Sequence, residues 1–118
     1  MNATDIRNTY RALPCNDLVA EVKYLAPTNR HGSRWKATIP AYDYRDARPQ
    51  HVAYTDYGLS NAENAYAAVL QLIEKMHAAG FCQINDRCTF DFEIVAEVNI
   101  GAHGDKYGFL IRQKWHDN

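Results

Sequence analysis

Apolar residues recur along this chain at two periods, one typical of β-strands and the other of α-helices. Helical spacing predicts two helices, near residues 4–13 and 61–79. Alternation and turn residues predict five strands, near residues 18–25, 35–39, 51–57, 90–100 and 107–115. The order α-β-β-β-α-β-β indicates an α+β domain with an antiparallel sheet of about five strands. We expect the long second helix to pack on one face of that sheet, within a single domain over residues 1–118.

The long helix has the clearest boundaries. Ser60 and Glu63 form an S-x-x-E capping box at its start, and Gly80 with Phe81 resembles a Schellman-type end. The core-facing stripe predicted from the helical period is Ala62, Ala65, Tyr66, Val69, Leu70, Ile73 and Met76. The first helix carries a narrower stripe, with Thr4 as the expected N-cap and Pro14 as the stop: Ile6, Tyr10 and Leu13.

Two hairpins are predicted, one on each side of the long helix. In the first, alternation places Ala20, Val22 and Tyr24, and then Trp35, Ala37 and Ile39, on one face. In the second, a strict period of two runs from Phe90 to Ile100, and GAHGD at 101–105 supplies the turn. The other face of that strand is acidic, so Arg112 and Lys114 should lie across from Asp91, Glu93 and Glu97.

Composition excludes several classes of protein. With 118 residues, 47% hydrophobic and 23% charged at a net charge of -1, the chain can bury a core without disulfides. No apolar run approaches the length of a membrane span, and the N-terminus does not resemble a signal peptide. A cytoplasmic location is therefore expected, without membrane association. The odd set Cys15, Cys82 and Cys88 indicates free thiols.

Motifs for chemistry are absent from the sequence. A zinc site from Cys82, Cys88 and His77 is disfavoured because the cysteine spacing is too wide and a fourth ligand is not apparent. No nucleophile elbow, zinc-protease motif, P-loop or dinucleotide-binding fingerprint occurs. We therefore expect no enzyme activity, no cofactor and no metal.

Residues 23–48 are the basic part of the chain. This segment contains six Lys and Arg residues but only two acids, Asp43 and Asp46. Trp35, Tyr42 and Tyr44 lie among the basic residues in the sequence. This combination suits phosphate contacts and base stacking, although a solvated or protein-binding hairpin would have the same composition. Residues 4–79 also follow the element order of a double-stranded-RNA-binding domain. However, the start of the long helix, SNAENAYAA, has none of the lysines with which that domain contacts phosphates.

Three segments, YLAPTNRHGSRWKA (24–37), YTDYGLSNAENAYAAVLQL (54–72) and YGFLI (107–111), carry a resemblance. They are similar to a group of small phage, prophage and plasmid proteins that share a YL-x-PTN-x-x-x-SR-x-KA hairpin. The resemblance implies a protein that binds and inhibits a host defence complex in the bacterial cytoplasm, as anti-CRISPR proteins do. The partner could be a defence protein or a nucleoprotein complex.

The expected partner-binding residues lie on the basic hairpin: Arg30, Arg34, Trp35, Tyr42, Tyr44 and Arg48. Two alternatives stay open. One is a nucleic-acid-binding module that uses the same hairpin, and the other is a phage structural protein that forms homo-oligomers through an open sheet edge.

Overall fold

A computed structural model of the protein describes residues 1–13, 17–40, 49–79, 88–100 and 106–117. It contains two helices and five strands in the predicted order. They are α1 (Ala3–Arg11), β1 (Asp17–Leu25), β2 (Arg34–Thr38), β3 (Gln50–Tyr54), α2 (Asn61–Ala78), β4 (Cys88–Val98) and β5 (Lys106–Asp117).

The strands form one antiparallel sheet in the order β3-β2-β1-β5-β4, with α2 packed on one face. This confirms the predicted α+β fold. β1 pairs with β2 on one side and with β5 on the other, so the first and last parts of the chain meet at the centre of the sheet. The sheet face opposite α2 is called the open face.

The capping box at the start of α2 is confirmed. The Ser60 hydroxyl accepts from the Glu63 backbone N–H at 3.2 Å, and the Glu63 carboxylate accepts from the Ser60 backbone N–H at 2.9 Å. Because the Ser60 N–H donates to the Glu63 carboxylate, the pKa of Glu63 is held below its ordinary value. α2 ends at Ala78, and the predicted stop at Gly80 lies outside the described residues.

The buried stripe of α2 differs from the predicted one. Tyr66 and Leu70 are 42% and 41% exposed, whereas the buried positions are Asn64, Ala65, Ala68, Val69, Leu72, Ile73 and Met76. The reason is the position of the helix on the sheet. α2 packs mainly against β2 and β3, so its flank towards β4 stays accessible. The small side chains of Ala65 and Ala68 are 0% exposed at this contact.

β3 ends at Tyr54, earlier than the predicted residue 57, because the next residues turn into α2. The Thr55 backbone N–H still donates to the Ser33 carbonyl, but Asp56 accepts from the Leu59 N–H and closes a turn. Asn64 is 3% exposed and fixes this turn with four hydrogen bonds to residues 56–60. A buried amide thus joins the end of the sheet to the start of the helix.

The N-cap of α1 lies two residues earlier than expected. The N-cap is Asn2, whose side chain accepts from the Asp5 N–H at 2.9 Å, and Thr4 lies inside the helix. No residue of α1 is buried, and its apolar stripe is exposed: Ile6 55%, Tyr10 73% and Leu13 61%. The predicted stop at Pro14 lies outside the described residues.

A β-bulge divides β4 into two parts that present opposite faces. Ile94 pairs with Ile111, but Ala96 pairs with Leu110, so one extra residue is inserted at Val95. The apolar residues after the bulge therefore lie on the open face, and the predicted single alternating face from 90 to 100 is wrong. Glu97, expected beside Asp91 and Glu93, instead lies on the face that α2 covers.

The expected register of acidic and basic residues across β4 and β5 is present before the bulge. Asp91 pairs in register with Lys114, and Glu93 with Arg112. The ion pair of Arg112, however, is with Asp17 on the other neighbouring strand. Both carboxylate oxygens of Asp17, in the central strand β1, accept hydrogen bonds from the Arg112 guanidinium.

Candidate nucleic-acid interface

Residues of β1 alternate between the core and the open face. Ala20 and Val22 are 0% and 1% exposed beneath α2, while Glu21 and Lys23 between and after them are exposed. Because directly paired residues of neighbouring strands share a face, the register identifies every residue beside Lys23.

Three lysines lie side by side on the open face. Lys23 in β1 pairs directly with Lys36 in β2 and with Lys106 in β5. We call these residues the lysine row. Since neighbouring strands are about 4.8 Å apart, the row extends about 10 Å across the sheet. Like charges directly opposite each other in a sheet are unfavourable, so this arrangement costs stability in the absence of an anion.

The three cations are not neutralised within the described parts of the chain. The contacts of this kind there are the ion pair of Arg112 with Asp17 and the contact of His77 Nε2 with the Asp91 carboxylate at 3.1 Å. Among residues 1–13, 17–40, 49–79, 88–100 and 106–117, no side chain forms an ion pair or hydrogen bond with the ammonium group of the lysine row. The row is therefore available to an anion from solution.

A pocket of about 260 Å³ lies over the row. Its lining combines the three lysines with Glu21, Val22, Thr38 and Ile100. Glu21 offsets part of the charge, but the lining keeps more cations than carboxylates. The Thr38 hydroxyl adds a neutral group that can donate a hydrogen bond to an anion.

One wall of this pocket depends on Gly108. A Cβ at this position would lie 2.6 Å from Ile100 Cγ2 and 3.0 Å from Val98 Cγ2. The β-bulge brings Val98 to the open face, directly opposite Gly108. The absence of a side chain at residue 108 thus allows Ile100 to close the pocket beside Lys106.

At the other end of β1 and β5, the charge on the open face is balanced. Arg112 Nε and Nη2 donate to the two carboxylate oxygens of Asp17 at 2.9 and 3.1 Å. The hydrogen bond from Arg112 lowers the pKa of Asp17, and the same contact raises the pKa of Arg112. The excess of positive charge is therefore concentrated at the lysine row rather than spread along the strands.

A fourth cation of the open face lies two register positions beyond Lys36 on the first hairpin. Arg34 pairs with Leu25 on one side and with Tyr54 on the other. Its Nε is buried and has no acceptor among the described residues. Tyr54 is 63% exposed, and its hydroxyl is hydrogen-bonded to His31 Nδ1 at 3.0 Å. This pair adds an accessible aromatic ring to the open face, beside a guanidinium whose Nε is buried.

The loop between β1 and β2 is held by Thr28. Its hydroxyl accepts from the backbone N–H groups of Arg30 and His31, and its own N–H donates to the His31 carbonyl at 2.8 Å. Arg30 is exposed in this ordered loop. The structure thus leaves the predicted contact residue Arg30 accessible, beside the hairpin that carries Arg34.

Trp35, expected as an exposed anchor, is in the core. It is 1% exposed, its ring lies 4.9 Å from that of Tyr24 and 5.8 Å from that of Tyr107, and its Nε1 donates to the Thr55 hydroxyl. The physical reason is the alternation that places it with Ala37 under α2. Trp35 therefore supports the hairpin and does not form part of its surface.

Tyr42, Tyr44 and Arg48, the other predicted contact residues, lie outside the described residues. Lys106 was not anticipated as a site residue, because it is distant in sequence from the basic segment. The available signal was its position just before the alternating Tyr107, Phe109 and Ile111, which places it on the opposite face. Only the pairing of β5 with β1 brings it beside Lys23.

The described residues contain no group of three or more His, Cys, Asp or Glu side chains placed to hold a metal ion. No helix among them has the length and apolar character needed to span a membrane. Cys15 and Cys82 lie outside the described residues, and Cys88 is the first residue of β4.

In comparisons with known proteins, no protein family, curated protein or solved structure significantly matches this chain. The resemblance to small phage, prophage and plasmid proteins therefore stays a prediction.

Proposed function

We propose that this protein is a non-catalytic binding module that holds the phosphate backbone of single-stranded nucleic acid on the open face of its sheet. The observation that carries the proposal is the lysine row, three directly paired cations without a partner in the described chain. A polyanion can place a negative charge beside each of the three lysines, whereas an isolated carboxylate can neutralise only one.

A single strand suits this surface better than a duplex. The cations lie on a sheet face, and neither helix carries them toward a groove. Tyr54 offers an exposed ring on the same face, and an unpaired base can stack on it while a paired base cannot. The lysines are also on the opposite side of the sheet from α2, so the duplex-RNA mode of the topologically similar domain is not the one proposed.

The test is fluorescence anisotropy with labelled poly-pyrimidine DNA and RNA strands and with a duplex of the same length. Affinity should fall as salt rises from about 50 to 200 mM, with a log-log slope of about −0.7 for each phosphate contacted. Three contacts predict a slope of about −2. Lys23→Gln should weaken binding and reduce the steepness of that slope by about 0.7.

Lys75→Gln is the matched control, because it removes one charge from α2 on the other side of the sheet. It should leave the affinity and the salt slope almost unchanged. Equal losses from Lys23→Gln and Lys75→Gln would show that net charge, rather than the lysine row, drives binding. Tighter binding of the duplex than of the single strand would contradict the proposed substrate class.

Inhibition of a host defence complex is a second proposal, supported by the exposed Arg30 and the half-buried Arg34 on the same hairpin. Affinity purification from a bacterial lysate, with and without nuclease, separates the two functions. A protein partner that survives nuclease, and is lost with Arg30→Ala, favours inhibition. Nucleic acid as the sole recovered partner favours the binding module.

A further inference from the structure

α1 is an amphipathic helix without a contact surface. Its apolar stripe of Ile6, Tyr10 and Leu13 is more than half exposed at each position, and none of its residues is buried. Isolated helices shorter than about 12 residues are marginal in water even with a good cap. A nine-residue helix with an exposed apolar stripe therefore gains stability from any surface that covers the stripe.

A groove of about 360 Å³ is open between α2 and β4. Its floor and walls are mainly apolar, and one carboxylate lies on each bank: Glu63 on α2 and Glu97 on β4. The apolar lining is Ala62, Tyr66, Ile94, Val95, Ala96 and Phe109. The groove exists because α2 lies towards β3, which leaves Tyr66 42% exposed, and because the bulge turns Glu97 to this side.

The stripe of α1 matches the groove in length. Ile6 and Tyr10 lie in α1, and Leu13 lies in the turn after it, where its N–H donates to the Tyr10 carbonyl. The seven positions from Ile6 to Leu13 correspond to about 10 Å at the helical rise. Residues 94–97 of β4, which line the groove, extend about 10 Å along the strand. The apolar stripe, about two helical turns long, thus matches the length of the apolar side of the groove.

The charges are also complementary. Arg7 and Arg11 follow the stripe residues Ile6 and Tyr10 by one position each, so both arginines flank the same side of the stripe. The groove offers Glu63 and Glu97, neither of which forms an ion pair within the described chain. The basic side of α1 is thus complementary in charge to the acidic edges of the groove.

We propose that α1 of one copy of this chain docks in the groove between α2 and β4 of a second copy. The exchange is reciprocal, so two stripes and two grooves are buried together in a closed, two-fold symmetric dimer. The second copy is the occupant because α1 in the single chain leaves both its own stripe and the groove exposed. This proposal does not depend on nucleic-acid binding, since the groove is on the opposite side of the sheet from the lysine row.

Light scattering coupled to size exclusion tests the dimer. The wild-type protein should have twice the 13.5 kDa mass of one chain and should dissociate on dilution. Tyr10→Asp, which disrupts the stripe, and Val95→Asp, which disrupts the groove, should each be monomeric. Asn8→Asp, on the polar side of α1, is the control and should remain dimeric.

Mixing the two monomeric variants provides the decisive result. The intact α1 of the Val95→Asp chain can enter the intact groove of the Tyr10→Asp chain, so a heterodimer should form. Docking of α1 in its own chain cannot be complemented in this way. A monomeric wild-type protein, or a failure of the mixture to associate while both variants remain folded by circular dichroism, would overturn the proposal.

Charge reversal tests the orientation. Arg11→Glu and Glu97→Arg should each raise the dimer dissociation constant about two- to fivefold, as expected for an exposed ion pair. The double variant should recover most of the affinity. Dimerisation that depends equally on Lys23 would instead assign the contact to the open face and contradict the groove.

Discussion

Lys23 in β1 lies directly opposite Lys106 in β5, although the two residues come from opposite ends of the chain. Lys36 extends the same line on the other side of Lys23. Three registered cations in the middle of a sheet are not a stabilising arrangement, because a paired acid and base at these positions would be more favourable. The energetic cost of the row is the physical reason to regard it as a binding site.

Because of that cost, removing a lysine from the row should increase stability and weaken nucleic-acid binding. Lys23→Gln should raise the free energy of unfolding by about 0.2–1 kcal/mol, because it removes the cation that repels both neighbours. The gain should be larger at low salt, where repulsion is least screened. Urea unfolding at low and high salt measures it, and the same variant should bind nucleic acid more weakly.

Lys114→Gln is the matched control for stability, since Lys114 is paired in register with Asp91 and not with another lysine. It should be neutral or slightly destabilising. If Lys23→Gln destabilises the protein at both salt concentrations, repulsion within the lysine row does not determine its energetics.

Acid should weaken the fold through Asp17 and Glu63. The hydrogen bond from Arg112 lowers the pKa of Asp17 below its ordinary value near 3.8, and the N–H of Ser60 lowers that of Glu63. Stability from a lowered pKa is complete above the unfolded-state value and is lost as the pH falls through the folded-state value. The urea midpoint should therefore decline below about pH 4.

Asp17→Asn should lower stability at neutral pH and make the decline in acid shallower, because the amide does not titrate. Glu74→Gln serves as the control, since Glu74 forms no ion pair or hydrogen bond within the described residues. It should leave the acid limb unchanged. An unchanged acid limb in Asp17→Asn would show that the ion pair with Arg112 does not contribute to the pH dependence.

Asn64 should be among the most sensitive polar residues. Its side chain accepts from the Asp56 N–H at 2.8 Å and donates to the carbonyls of Asp56, Leu59 and Ser60. Asn64→Ala removes these four bonds and leaves the Asp56 N–H and the Leu59 carbonyl without the partner that Asn64 provides. We therefore expect a loss of about 1–3 kcal/mol in the free energy of unfolding. Asn61→Ala, at an exposed position of the same helix, should cost much less.

Gly108→Ala tests the wall of the pocket. The new Cβ would lie 2.6 Å from Ile100 Cγ2 and 3.0 Å from the Val98 carbonyl oxygen, so the segment after β4 must move. We expect a loss of about 1–3 kcal/mol in stability and weaker nucleic-acid binding. Gly32→Ala is the control, because a Cβ there meets nothing within 4 Å. Comparable effects of the two variants would refute the role given to Gly108.

Much of the local structure could be predicted from short stretches of sequence. The capping box of Ser60 and Glu63 needs only residues three positions apart, and the first hairpin follows from alternation around a turn. The same alternation grouped Trp35 with Ala37 and Ile39, so its burial was encoded. The expectation that Trp35 is an exposed anchor is based on composition, and composition does not show on which side of a strand a residue lies.

The predictions that were wrong concern features that depend on contacts between distant elements. The stripe of α2 was predicted from its own period, but the sheet beneath it determines which flank is covered, and Tyr66 is exposed as a result. The bulge at Val95 likewise depends on a partner that is distant in sequence. Alternation through residues 90–100 is unbroken in the sequence, yet pairing with β5 inserts an extra residue and sends Glu97 to the other face.

The sequence by itself determined the helices, the strands, their order and the side of each strand on which a lysine lies, because helical and strand periods are local. Tertiary structure alone decided that β1 lies between β2 and β5, and hence that Lys36, Lys23 and Lys106 form one row. Strand neighbours and register are selected by burial of the entire core face beneath α2. No short stretch of sequence contains that information.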